Sequence, residues 1–438
     1  MEKLTIRNNI RLAWRYIRDR KRVNTFLSLP EEQIQEYQLK KIKELLDIAY
    51  YHTDFYKRKY DAIGIRPEDV QSLEDFKKIP TITKEELITY NEEFIDKRIK
   101  KEELIRSRSS GSSGLFVDVY LSPDTFIDEE LQVLRMLKGF NPSYCSTDNE
   151  VLVYTSEYPI TSILGFYKVY YINNLLEANE ISRLLKEIKP KIVAIYPSIL
   201  REIIDLSKEI TNLGIQTIIT NSEHSTQQER DEFAKILGCD VYDEFSSEEL
   251  QSIFCQCKNK HYHDVPDCTY VELMEEDFDR NIVVGKMGEI VGTCLINKAM
   301  PIIRYRSGDL AVQSLHKCSC GYNSKMYEHI LGRKNASFKK ADGTQIPSGK
   351  ILDWSYSLVL KHNIDILEFQ IIQESFNEIL VLVVAGTQYD ENRDNILFVQ
   401  SFRHYFGENY YIKVKLIDEI PKTTSGKHIP IISLVNTE

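Results

Sequence analysis

Between residues 151 and 246 short apolar runs alternate with helix-length stretches, and few folds accommodate that order. VLVYT (151–155), KIVAIYP (191–197), IQTIITN (215–221) and CDVYDEFS (239–246) have the length and branched content of buried strands. Helical patterns separate them, one starting at Ser198 and another across TQQERDEFAKIL (226–237). Strand, helix and strand at roughly 25-residue spacing predict parallel βαβ units. Residues 31–110 read instead as helices and short links, with a break at Ile79-Pro80-Thr81. After residue 265, CTYVELM, NIVVG, EIVGTCLIN and PIIRYRSGDLAV predict a hairpin-rich β subdomain. Beyond Gly332, EFQIIQ, ILVLVVAG and YIKVKLI alternate with helical segments. The expected fold class is α/β. A large N-terminal domain (1–332), of βαβ sheets and a β-rich subdomain, precedes a small α+β C-terminal domain (333–438).

Charge narrows the partners. Lys and Arg total 56 against 66 Asp and Glu, a net charge of −10, so there is no overall footprint for nucleic acid. No apolar run approaches the roughly 18 residues of a transmembrane helix. The N-terminal segment is basic throughout and lacks a continuous apolar centre, so it does not read as a secretory signal; a cytoplasmic protein is expected. Ile6, Ile10, Ala13, Trp14 and Ile17 recur there at helical spacing, with Arg7, Arg11, Arg15 and Arg18 on other faces. That pattern predicts an amphipathic helix docked on its own domain. The alternative is a helix lying on an anionic membrane surface.

Five short motifs carry chemistry. Ser109-Ser110-Gly111-Ser112-Ser113-Gly114, behind Arg106 and Arg108, offers converging backbone N–H groups and hydroxyls to a phosphate; a flexible linker is the plainer reading. Phe245-Ser246-Ser247-Glu248-Glu249, Arg304-Tyr305-Arg306-Ser307-Gly308-Asp309 and Gly332-Arg333-Lys334-Asn335 follow in order. The last is Pro421-Lys422-Thr423-Thr424-Ser425-Gly426-Lys427, a turn presenting Lys427 as a point charge. Taken singly, each has a plain alternative as a turn, a surface cation or a helix start.

Eight cysteines are too few for a disulfide scaffold, but Cys255-x-Cys257 and Cys318-x-Cys320 form tight pairs. His261 and His263 lie close to the first. Such pairs read as a metal site before a disulfide. The alternative for Cys255 and Cys257 is a small apolar core residue.

The five motifs in this order resemble the adenylate-forming superfamily of acyl-CoA synthetases. Within it the chain is most similar to the phenylacetate–CoA ligase-like group, including CapK-type members. The resemblance runs from YYHTDFYKRKYDAIGIRPEDV to the Lys427 loop. It implies that Ser109, Ser110, Gly111, Ser112, Ser113 and Gly114 hold ATP phosphates, although Leu115 and Phe116 stand where a lysine is usual. It implies that Phe245 lies against adenine, with Ser246, Ser247 and Tyr242 in the same nucleotide site. Glu249 supports Mg²⁺. Asn221-Ser222-Glu223 matches a Gly-Gly-Glu segment, so Ser222 and Glu223 line the adenine pocket. Asp309 takes the ribose hydroxyls, Arg333 lies near ribose or phosphate, and Asn335 sits at the hinge. Lys427 contacts the carboxylate and the α-phosphate. Lys427, Glu249 and Arg333 are thus the expected catalytic residues, and the C-terminal domain is expected to be mobile.

In the same group a structural zinc with three Cys and one His is common. The resemblance assigns it here to Cys257, His263, Cys318 and Cys320, with Cys255 and His261 as substitutes. The implied reaction joins a small carboxylic acid to CoA through an acyl-adenylate, with ATP, Mg²⁺ and CoA as partners and no nucleic acid. The alternative passes the acyl group to an amine, a sugar or a carrier thiol. Tyr154, Tyr158, Tyr196 and Tyr242 hint at an aromatic lining for the acid.

Overall fold

The computed structural model describes residues 5–108, 117–154, 157–206, 214–275, 280–333, 337–346, 348–421 and 429–435. The chain opens with helices. α1 (Ile6–Thr25) is capped by Thr5, whose hydroxyl accepts from the Asn8 N–H at 3.3 Å. α2 (Glu31–His52) carries Glu31 and Glu32 in its first turn, where they complement the helix dipole. α3 (Asp54–Asp61), α4 (Leu73–Phe76) and α5 (Lys84–Thr89) follow, the last held by a reciprocal capping box between Thr83 and Glu86. A ribbon of β1 (Ile105–Arg108) and β2 (Asp118–Leu121) leads into α6 (Pro123–Phe140).

The βαβ expectation holds. β3 (Asn149–Tyr154), β4 (Lys168–Asn173), α7 (Ala178–Ile188), β5 (Ile192–Ile195), α8 (Pro197–Leu206), β6 (Thr217–Thr220), α9 (Gln227–Leu237) and β7 (Asp240–Ser247) succeed one another. Their strands lie parallel in the order β4–β3–β5–β6–β7. β5 and β6 are buried at every position, as strands covered on both faces must be. Alternation sorts their side chains. Val193, Ile195, Ile218 and Val241 pack with Leu185, Ile203 and Phe233 of α7–α9. Ile192, Ala194, Ile219 and Tyr242 face the main core with Leu134, Leu137 and Phe140 of α6.

The β-rich region continues the same sheet. β8 (Gln251–Gln256), β9 (Tyr262–Asp264), β10 (Thr269–Met274), β11 (Met287–Cys294), β12 (Tyr305–Gln313) and β13 (Met326–Arg333) are antiparallel. The order is β10–β11–β12–β13–β9–β8–β7–β6–β5–β3–β4, so β7 joins the two halves. After it come β14 (Phe338–Lys339), β15 (Gln345–Ile346), α10 (Ser348–His362), β16 (Ile366–Ser375), β17 (Glu378–Ala385), α11 (Glu391–Phe406), β18 (Tyr411–Leu416) and β19 (Ile431–Ser433). A separate sheet, β18–β17–β16–β19, packs on its own core of Ile371, Val381, Phe398, Phe402 and Phe406. Among the described residues no helix is long and apolar enough to cross a membrane.

α1 docks on its own domain, but through another face than its apolar stripe suggested. Of the five stripe residues only Ala13 is buried; Ile6, Ile10, Trp14 and Ile17 are 82%, 56%, 56% and 66% exposed. Leu12, Val23 and the half-buried Tyr16 make the packed side instead. Arg11 and Arg15 pair with Asp124 and Asp128 of α6, and the Tyr16 and Tyr167 hydroxyls meet at 3.0 Å. These polar anchors select the face.

Candidate functional site

In an open α/β sheet, ligands collect at the carboxyl ends of the parallel strands. At that end β6 runs into Asn221-Ser222-Glu223. Glu223 accepts from the Ser198 N–H and the Ser198 hydroxyl, both at 3.0 Å, at the start of α8. Ser222 has φ +64°, and the Asn221 amide donates to the Tyr154 hydroxyl. Tyr154 stacks on Tyr196 with ring centroids 5.7 Å apart. The Asn221 Oδ1 is buried, and among the described residues none hydrogen-bonds to it. Tyr242 lies inside, stacked on Phe140 at 4.5 Å and under the Lys260 ammonium at 3.4 Å from its ring centre.

The end of β7 turns through Phe245, Ser246, Ser247, Glu248 and Glu249 into β8. Phe245 is half-buried beside Phe254, and Ser246 is exposed. The two glutamates diverge. Glu248 accepts from the Ser107 hydroxyl on β1, 141 positions away. Glu249 is buried and accepts from the Tyr305 hydroxyl at 3.3 Å. β1 ends at Arg108, immediately before Ser109–Gly114, which lies outside the described residues.

Sequence reasoning missed the carboxylates around Glu248. Glu244 accepts from Ser246 and Ser252 hydroxyls, each at 3.0 Å, and Glu129 of α6 accepts from Tyr158 at 3.0 Å. Burial, reinforced by the charges of Glu248 and Glu244, pushes Glu129 up to about 8. Burial pushes Glu244 up to about 7. The only advance signal was a pair of carboxylates, Glu129-Glu130, interrupting the apolar face of α6.

The Arg304–Asp309 motif divides between scaffold and site. Arg304 is fully buried, pairs with Glu272 at 3.0 and 3.1 Å, and donates to the Lys77 and Ile79 carbonyls. Arg306 pairs with Glu289 at 2.8 Å. Gly308 takes φ +76°, where a side chain would be strained. Asp309 is buried, its N–H donates to the Ser307 hydroxyl at 3.1 Å, and it stands in register with Arg333 across β12 and β13. Of Arg333 only the backbone is described; Asn335 and Lys427 lie outside the described residues.

The expected metal ligands converge. One ligand atom each from Cys257, His263, Cys318 and Cys320 lies within 4.8 Å of every other. Cys257 and Cys318 sulfurs are 3.7 Å apart, close to the edge of a tetrahedron built on ~2.3 Å zinc–sulfur bonds. His263 Nε2 is 3.5 Å from the Cys320 sulfur, while its Nδ1 faces the Ser324 carbonyl at 3.2 Å, leaving Nε2 for a cation. Gly321 turns the knuckle with φ +100°. Burial opposes ionisation of Cys318, but His261 and His263 outweigh it and bring the thiol down to about 5. His261 reaches the Cys318 sulfur at 3.2 Å without joining the quartet. Cys255 is fully buried, and burial pushes its thiol up to about 12. Four soft or borderline ligands with no open position suit a closed structural zinc site.

A family model described as the CapK C-terminal domain matches residues 344–434. Phenylacetate-coenzyme A ligase of Escherichia coli (strain K12) is 25% identical over 299 residues, which is 64% of this chain and 67% of the relative. Protein CapK of Staphylococcus aureus is 20% identical over 413 residues, covering 90% of this chain and 87% of that protein. The chain is thus similar to phenylacetate–CoA ligases over about two thirds of its length and to CapK over most of it. Its fold agrees with solved structures. A 2-hydroxyisobutyryl-CoA ligase, in the postadenylation state with R3-HIB-AMP, superposes with a TM-score of 0.76 at 19% identity, over 93% of this chain and 91% of that one. An anthranilate CoA ligase with anthranoyl-AMP gives 0.55 at 13% identity, over 75% of this chain and 66% of its own.

Proposed function

We propose that this CapK-like chain activates a small organic or aromatic acid with ATP and passes the acyl group to CoA. The carboxylate attacks the α-phosphorus, an acyl-adenylate forms and pyrophosphate leaves. The CoA thiol then attacks the acyl carbon and releases AMP. A carboxylate is a poor electrophile, so the first half-reaction is what makes the second possible. One observation carries this reading: the Ser107–Glu248 hydrogen bond draws together two motifs far apart in sequence. A nucleotide site needs that meeting of a phosphate loop and an acidic turn.

Roles follow from it. Ser109–Gly114 would cradle the phosphates, Phe245 would lie against adenine, and the buried Asp309 carboxylate would accept two bonds from the ribose diol. Arg333 and Asn335 would stand at the junction of the 1–332 and 333–438 domains, and Lys427 would bring a cation to the α-phosphate from a mobile C-terminal domain. Mg²⁺, when bound, would neutralise phosphate oxygens; Glu249, braced by Tyr305, and Glu248, bonded to Ser107 of β1, are the carboxylates that would hold it. The Cys257, His263, Cys318 and Cys320 cluster would hold a structural Zn²⁺. ATP and CoA as substrates argue for a cytoplasmic site of action.

A second reading keeps the adenylate but hands the acyl group to an amine, a sugar or a carrier thiol. The CapK C-terminal match and the long CapK alignment favour it. A carboxylate screen by ATP–pyrophosphate exchange, repeated with CoA, separates the two. Exchange with a CoA-dependent thioester supports the first reading. Exchange without one supports the second, and no exchange with any acid overturns both.

A further inference from the structure

We infer that α1 seats the protein on an anionic lipid surface. Ile6, Ile10, Trp14 and Ile17 form one continuous stripe along the helix and are 82%, 56%, 56% and 66% exposed. The opposite face, with Leu12 and Val23, is buried in the domain, and Ala13 at the stripe's edge is buried with it, so the four exposed residues are not the helix's packing surface. Arg11–Asp124 and Arg15–Asp128 pairs fix the helix on α6. The helix is therefore presented already folded, and docking need not order it.

Charge selects the occupant. α1 carries seven Arg or Lys residues against one Asp, in a chain of net charge −10. Arg7, Arg11, Arg18, Arg20, Lys21 and Arg22 are exposed. On a helical wheel they flank the stripe or lie within it. The Arg18 guanidinium rests 4.4 Å from the centre of the Trp14 ring. An apolar strip with an indole in its middle and basic residues along its edges fits the boundary between acyl chains and anionic headgroups. With seven cations, this helix lies in that plane rather than crossing it. Face-to-face pairing of two copies would bring the basic edges together, which like-charge repulsion opposes.

The test is co-sedimentation of the full-length protein with phosphatidylcholine vesicles, with and without phosphatidylglycerol. Binding to the anionic vesicles is expected to be at least about tenfold stronger and to weaken with salt. The chain has two tryptophans, so in a Trp354→Phe variant the emission reports Trp14 and should shift to shorter wavelength on binding. Ile10→Asp with Ile17→Asp should abolish sedimentation while the unfolding temperature stays unchanged, because both side chains face solvent. Arg7→Glu with Lys21→Glu should lose the anionic preference. No sedimentation of the parent protein, sedimentation unaffected by the Asp pair, or a solution dimer that the Asp pair splits would each overturn the inference.

Discussion

The Ser107 hydroxyl hydrogen-bonds Glu248, whereas the neighbouring Glu249 is buried against Tyr305. Adjacent carboxylates therefore make different contacts. Glu248→Gln keeps an acceptor for Ser107 but removes the charge, and it should slow ATP–pyrophosphate exchange by about 100-fold with little change in unfolding temperature. Glu249→Gln should slow exchange by less than about tenfold and mainly lower stability. Exchange assays beside thermal unfolding decide the matter; equal losses of exchange would contradict the division.

If the Cys257, His263, Cys318 and Cys320 cluster holds the proposed cation, removing it should loosen the antiparallel half of the sheet, because these residues tie the β8–β9 turn to the loop between β12 and β13. Metal analysis should find about one zinc per chain. Cys318→Ser should lose that zinc and lower the unfolding temperature by several degrees, while Cys255→Ser, outside the quartet, should retain it. Zinc-free protein after gentle purification would remove the assignment.

Lys427→Ala tests the role proposed for this lysine. Adenylation should fall about 100-fold, while transfer from a preformed acyl-adenylate should fall far less, because the charge is needed only where phosphoryl oxygens develop negative charge. Single-turnover measurement of each half-reaction gives the comparison. Equal losses would contradict the role.

Legibility tracked how local the signal was. The β5 and β6 runs announce themselves because burial on both faces leaves no polar position to blur them. The two Cys-x-Cys pairs pointed to a metal cluster, the resemblance chose Cys257, His263, Cys318 and Cys320 with Cys255 and His261 as substitutes, and the fold draws the chosen four within 4.8 Å of one another. What needed the fold was the choice between equals. Glu248 and Glu249 differ by one position, and it is Ser107 of β1 and Tyr305 of β12 that tell them apart. α1 has apolar residues on two faces, and its docking side is set by Asp124, Asp128 and Tyr167, all remote in sequence. Arg304 sits among motif residues, but its partners Glu272, Lys77 and Ile79 come from two other parts of the chain.

Asp309 and Arg304, five positions apart, should fail in opposite ways. Asp309→Asn removes a charged acceptor for a diol and should raise the ATP dissociation constant about tenfold or more with a small stability change. Arg304→Met strands the buried Glu272 charge and two backbone carbonyls, so it should cost about 3 kcal/mol or more. Nucleotide titration and denaturant unfolding on both variants check the pair.

Buried acid groups set the pH response of the fold. Glu130 and Glu150 are almost fully buried, and burial pushes each up to about 8. In the unfolded chain a glutamate titrates near about 4.3. Between those values the folded state holds a proton that the unfolded state has released, so stability falls as pH rises through that window and levels off above about 8. Glu150→Gln stays neutral at every pH. It should therefore be more stable than the parent by about 1–3 kcal/mol at pH 8, with the gain fading as pH falls toward 5. Denaturant unfolding at several pH values across the window measures this directly; a difference that does not change with pH would mean that the Glu150 carboxyl does not hold its proton in the folded protein.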